Sequence, residues 1–128
     1  MNKNLVLSAC LLIAIAILLG AFGAHSLKKV LDENALTSFE TGVRYQLFMG
    51  FGLILQQIVG QLTVTDLKTS GRTILVGTLL FSGSIYLLVL FDQLNWWKMP
   101  LVPLTPIGGS LLIIGWLMTT FKLYKANF

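Results

Sequence analysis

Six polar side chains fall near one end of the apolar segments of this chain, and they are the residues whose types could do chemistry together: His25, Arg44, Tyr45, Gln46, Asp92 and Thr105. His25 is the single histidine and the one side chain whose ordinary titration lies near neutral pH. If the six converge, they form a shallow polar pocket at a membrane surface. An enzyme acting there on a lipid or a quinone would use His25 or Arg44. The rival arrangement is structural. Arg44 pairs with Glu40, four residues before it in the favourable helical order, or with Asp92. His25 then closes a helix C-terminus, where a cation is favoured.

Other reactive sets are missing. His25 and the single cysteine, Cys10, lie fifteen residues apart with no carboxylate cluster, so no metal site is expected and no cofactor is implied. The serines have no base other than His25, no acidic residue sits inside an apolar segment, and no glycine-rich phosphate loop occurs. Leu7-Ser8-Ala9-Cys10 matches a lipoprotein cleavage box, but only three apolar residues precede the serine, where a signal core needs about 7–15. Cys10 is expected to be an unmodified, membrane-buried thiol. A signal peptide cut near Ala21–Ala24 is the stronger rival to a first span, although the apolar stretch is long for one.

The elements that must position these groups are apolar rods. Hydrophobic residues make up 55% of the 128 positions and charged residues 11%, against about 25% charged in ordinary soluble domains. No Asp, Glu, Lys or Arg occurs in residues 4–27, 45–65, 73–91 or 99–121. Each window holds 19 to 24 residues, and a helix crosses a hydrocarbon core of about 30 Å in about 20. The expectation is an all-α membrane protein of one domain, residues 1–128. It is a four-transmembrane-helix antiparallel bundle with spans at 4–25, 45–65, 73–91 and 104–121. Residues 26–44 carry apolar positions at helical spacing among charges and predict an amphipathic helix on the membrane surface that turns into the second span. Asp32 or Asn34 could cap it.

Within the spans, small and amide residues predict packing. Ala16, Gly20 and Ala24 recur every four residues with Gly23 beside them, a ridge that lets helices approach in lipid. Gln46, Gly50, Gln57 and Gln61 share a face that must turn inward, because an amide in hydrocarbon needs a partner. The hydroxyls of Thr78, Ser82 and Ser84 can bond their own helix. Thr105-Pro106 predicts the start of the last helix with Thr105 as N-cap, and Gly108-Gly109 then allow close packing. Trp96, Trp97 and Lys98 form an interfacial anchor.

The net charge of +4 comes from scattered basic residues without a basic stripe, so nucleic acid is excluded as a partner and membrane lipids are expected. A homo-oligomer is compatible with the small-residue ridge, and no protein partner is indicated. With four spans both termini share one side. That side holds Lys3, Lys68, Arg72, Lys122 and Lys125, and the other holds Lys28, Lys29, Arg44 and Lys98. Five against four favours cytoplasmic termini.

Four blocks also resemble a known family. They are Gly20-Ala21-Phe22-Gly23-Ala24-His25-Ser26-Leu27-Lys28, Phe39-Glu40-Thr41-Gly42-Val43-Arg44-Tyr45-Gln46, Phe81-Ser82-Gly83-Ser84-Ile85-Tyr86 and Thr105-Pro106-Ile107-Gly108-Gly109. In this order they are similar to the YgdD/YwdK-like small membrane proteins, domain of unknown function 423. The resemblance implies a four-span protein of the bacterial inner membrane and no established activity. Family members commonly read Tyr-Gln-Met-Tyr-His where this chain has Tyr45-Gln46-Leu47-Phe48-Met49. Chemistry needing that histidine is absent here.

The residues thus favour a non-catalytic packing module that interacts with lipids or proteins, not an enzyme. Two alternatives stay open: an oligomeric carrier or channel for a small solute or lipid, supported by the glutamine face, and the lipid- or quinone-modifying enzyme above.

Overall fold

The computed structural model describes residues 1–128 as four long helices with no strand. Helix α1 is Lys3–His25, α2 is Glu33–Leu62, α3 is Lys68–Gln93 and α4 is Leu104–Tyr124. Single 3-10 turns sit at Leu27–Lys29 and Met99–Leu101. Three helical stretches, Lys3–Lys29, Lys68–Gln93 and Met99–Tyr124, are long and apolar enough to cross a membrane. Four glutamines, Gln46, Gln56, Gln57 and Gln61, lower the apolar character of α2 and set it apart from them.

Local chemistry sets the helix starts. The Asn2 side chain accepts from the Leu5 amide at 3.1 Å and caps α1. Asp32, not Asn34, caps α2, accepting from the Ala35 amide at 2.7 Å. From there α2 runs 30 residues without a break. The expected amphipathic helix over 26–44 is therefore not a separate element. Residues 33–44 are the first turns of α2, because nothing between Glu33 and Leu62 breaks a helix: no proline occurs there, and Gly42 is held by the Tyr86 ring, 2.8 Å from where a Cβ would stand. The expected start of α4 also shifts. Pro103 takes the N-cap position, Thr105 lies inside the first turn, and its hydroxyl bonds to Ser84 Oγ on α3 at 2.6 Å.

The interhelical partners run in opposite order along consecutive helices. On α1 and α2, Asn2 meets Gln57, Leu12 meets Gln46, and Gly23 faces Phe39. On α2 and α3, Gln56 meets Ser70 and Gly42 meets Ser82. The α3–α4 seam is the tightest. A Cβ on Gly108 would collide with the Phe81 backbone and lie 2.9 Å from the Gly77 carbonyl oxygen, and one on Gly115 would lie 2.5 Å from an Ile74 side-chain carbon. Here backbone meets backbone, which requires the missing side chain. A Cβ on Gly109, the other half of the expected pair, would meet only the Phe81 ring, at an ordinary 3.6 Å or more. On α1, Ala16 is buried and Gly23 packs under Phe39, whereas a Cβ on Gly20 would lie 3.4 Å from Val43 and Ala24 is exposed. The apolar centre joins Ala9, Leu12, Leu53, Ile74 and Leu112, which come from all four helices.

Two turns use left-handed backbone. Thr65 N–H bonds to Gly60 O at 2.8 Å over Val64, and Trp96 N–H bonds to Phe91 O at 2.9 Å over Asn95. Both are helix C-terminal turns closed by a bond back to the last helical turn. Asn95 at φ 55° suits such a site, but Val64 at φ 52° is β-branched and strained there.

Neighbouring glycines should therefore respond oppositely to one methyl group. Gly108→Ala is expected to lose about 1–3 kcal/mol by overpacking. Gly83→Ala, with nothing within 4 Å of the new atom, is expected to gain about 0.5–1 kcal/mol from helix propensity. Thermal melting in one detergent compares them; equal shifts for the two variants would refute the seam.

Candidate functional site

Apart from Thr78 and the Ser84–Thr105 pair, the polar side chains inside the protein fall into two groups. In the first, Gln46 lies 4% exposed on α2. Its Nε2 donates to the Leu12 carbonyl of α1 at 2.8 Å, and its Oε1 accepts from the Tyr86 hydroxyl of α3 at 2.7 Å. Ser82 Oγ donates across to the Gly42 carbonyl at 2.7 Å. Thus Ser82 bonds a neighbouring helix, whereas Thr78 bonds its own helix, to Ile74 O. In the second cluster Gln56 Nε2 donates to Ser70 Oγ of α3 at 3.2 Å and to Thr119 Oγ1 of α4 at 2.6 Å. Gln57 Nε2 donates to Gln56 Oε1, and Gln57 Oε1 accepts from the Asn2 amide of α1 at 3.0 Å. This second cluster ties all four helices through two adjacent amides.

Gln56 was not among the residues that sequence pattern singled out. It lies beside the glutamine face, and only the position of α4 shows that it has its own partners. Gln61 is at the exposed end, where its Oε1 accepts from the Met1 ammonium. Trp116 Nε1 donates to Met49 Sδ at 3.3 Å, so the position where the family resemblance implies a histidine here joins α2 to α4.

The six side chains named for concerted chemistry do not share one pocket. Gln46 is buried in the first cluster. Tyr45 packs against Phe81 with tilted rings, centroids 4.9 Å apart, and meets Phe48 edge-on. Arg44 lines a shallow cleft of about 260 Å³ between α1 and α2 with Glu40, Gly20 and Gly23. It makes no ion pair; the one in the structure joins Lys98 Nζ to Asp92 Oδ1 at 2.6 Å. His25 is exposed in the last turn of α1, the place expected for a helix-closing cation. Asp92 and Thr105 do meet, as lining of a groove of about 740 Å³ whose opposite wall is the start of α2. No group of three His, Cys, Asp or Glu side chains is placed to hold a metal ion.

The four sequence blocks, however, pack on each other. Gly23 sits under Phe39, Phe39 stacks on Tyr86 at 5.3 Å, Ser84 bonds Thr105, and Gly108 lies against Phe81. The family described as "Protein of unknown function (DUF423)" matches residues 19–109, which contain all four blocks. The chain belongs to the DUF423 family. It is 38% identical over 106 residues to a UPF0382 membrane protein of Staphylococcus haemolyticus, covering 83% of each chain. It is 36% identical over 109 residues to one of Haemophilus influenzae, covering 85% of this chain and 84% of the other. It is 34% identical over 113 residues to the UPF0382 membrane protein YwdK of Bacillus subtilis, covering 87% and 88%. No solved structure was found to match. In this DUF423 member the four blocks thus mark one end of the helix packing, where α1 ends and α4 begins.

Gln56→Leu should destabilise the protein by about 1–3 kcal/mol, because Gln57 Nε2 then stays buried without an acceptor. Gln61→Leu, at the exposed end, should change stability by less than about 0.5 kcal/mol. Thermal unfolding in detergent reads both; an unaffected Gln56→Leu protein would remove the second cluster from the stability of the fold.

Proposed function

We propose that the protein is a four-span module of the bacterial inner membrane, with both termini in the cytoplasm, that acts by packing with lipids and proteins and not by catalysis. One observation carries this reading: α2 is polar inside and apolar outside. Gln46, Gln56 and Gln57 are buried, while Phe48, Phe51, Leu55, Ile58 and Leu62 are 39% to 76% exposed. These five recur every three or four residues and make one outward stripe. Water would reverse that arrangement, whereas lipid favours it, because amides need partners in hydrocarbon and apolar side chains do not. Helix α2 therefore counts as the fourth span beside the three more apolar stretches.

At about 1.5 Å per residue, the 30 residues of α2 reach about 45 Å, against a hydrocarbon core of about 30 Å. The surplus is the polar start of the helix, 33–44, which serves at head-group level in place of a separate surface helix. The non-catalytic reading is supported by the use made of the polar groups. No buried side-chain nitrogen or oxygen lacks a hydrogen-bond partner, so the interior amides and hydroxyls are committed to holding helices together. His25, the one ordinary base, has no hydrogen-bonded partner to orient it.

Topology reporters test the span count. Green fluorescent protein fused to either terminus should fluoresce, and alkaline phosphatase inserted at Asn95 should be active. Termini on opposite sides would leave three spans and sink this reading, as would release of the protein from membranes by alkaline carbonate.

A further inference from the structure

The groove shared by Asp92 and Thr105 borders the α3–α4 packing at Phe81 and Thr105, but its charged groups, Asp32, Asp92 and Lys98, bond no other helix. Helices α2 and α4 close on each other at Gln56–Thr119 and Met49–Trp116. At the other end α2 on one side, and Thr105 with the turn that precedes α4 on the other, frame an opening of about 740 Å³ with α3 between them. Its lining changes character along its length. Phe81, Ile85, Leu88 and Val89 of α3 provide an apolar bed, the α2 wall carries the hydroxyls of Ser38 and Thr41, and Asp32, Asp92 and Lys98 bring the charges. Along α3 the way from Asp92 to Phe81 is about 16 Å at 1.5 Å per residue, about half a hydrocarbon core. That is the reach of an acyl chain into one leaflet.

The charges at the mouth select the head group. Each carboxylate uses only Oδ1 within the protein: Asp32 accepts from the Ala35 amide, and Asp92 from Lys98. The second oxygen of each has no protein partner. Two carboxylates beside one lysine suit a zwitterion whose cation can donate hydrogen bonds. A primary ammonium has three such donors. A quaternary one has none, and an anionic head group would bring a phosphate to two carboxylates with no cation of its own.

We propose that this groove holds one phosphatidylethanolamine molecule, its ammonium between Asp32 and Asp92, its phosphate at Lys98 and one acyl chain along Phe81, Ile85, Leu88 and Val89. The proposal rests on the membrane reading above and names the lipid for it.

The test uses the full-length protein in mild detergent, offered phosphatidylethanolamine, phosphatidylglycerol and phosphatidylcholine with identical acyl chains. Native mass spectrometry counts the adducts. One phosphatidylethanolamine adduct should dominate. Asp32→Asn with Asp92→Asn should lower that preference about two- to fivefold, the range of an exposed ion pair. Asparagine still caps α2, and melting curves check that the variant is folded; Lys98→Gln, which leaves both carboxylates in place, should weaken phosphate-bearing lipids alike. Val89→Trp should remove the adduct by filling the bed, while Leu18→Trp, on the exposed face of α1, should keep it. Equal binding of the three lipids, an unchanged preference in the double variant, or a dimer peak in place of the adduct would overturn the proposal. A protein that passes the topology test yet shows no lipid preference loses only this proposal.

Discussion

An amide group that leaves water must be given a partner, and in this protein that requirement falls on α2. Its three buried glutamines offer donors and acceptors that hydrocarbon cannot satisfy. They are satisfied by the Leu12 carbonyl of α1, by Tyr86 and Ser70 of α3, by Thr119 of α4 and by the chain start at Asn2. A helix with obligations on so many sides has to stand among the others. The bonds are individually modest, since interhelical hydrogen bonds in a membrane bundle average about 0.6 kcal/mol. Their weight lies in the alternative, because a bent or shifted α2 would strand an amide at a cost of about 1–3 kcal/mol.

Glycine provides the complementary constraint between α3 and α4. Gln56 of α2 bridges that seam at Ser70 and Thr119, and along the rest of it Gly77, Gly108 and Gly115 bring the two backbones close together. In lipid there is no hydrophobic effect between helices, so close packing supplies the attraction. The two devices act side by side: the buried amides are all on α2, whereas the closest backbone-to-backbone approach is between α3 and α4 at Gly108. They explain the groove: α2 and α4 are joined at Gln56–Thr119 and by Trp116, and no bonded pair joins them at the end where Asp92 and Lys98 stand.

Much of this was legible beforehand. The charge-free windows gave the helices, the inward turn of Gln46 and Gln57 followed from desolvation, although Gln61 on the same face is exposed, and the family was readable from four short blocks. Of the small residues expected to pack, Gly23 and Gly108 lie close against Phe39 and the Phe81 backbone, whereas Gly20 and Gly109 have room for a methyl group and Ala24 is exposed. Other particulars were not. Gln56 falls off the face defined by Gln46, Gly50, Gln57 and Gln61, and its shortest bond depends on Thr119, 63 residues later. Ser82 was expected to bond its own helix and instead reaches Gly42 O. Thr105 was expected to cap α4 and instead bonds Ser84. A hydroxyl carries one donor that local and distant acceptors can both take, so its choice is not a property of the nearby sequence.

The sequence by itself determined the solvent: which residues need water, which do not, and hence that rods of apolar side chains end in charged turns. It also determined the family, because the four blocks carry that likeness without coordinates. The tertiary structure decided which amide meets which hydroxyl, that 33–44 extends α2 instead of lying apart from it, that Asp92 pairs with Lys98 and not Arg44, and that the six candidate side chains divide among separate places. Transfer preferences belong to single residues and can be read one at a time. Partner choice belongs to pairs brought together from distant parts of the chain, and it exists only once the helices have taken their places.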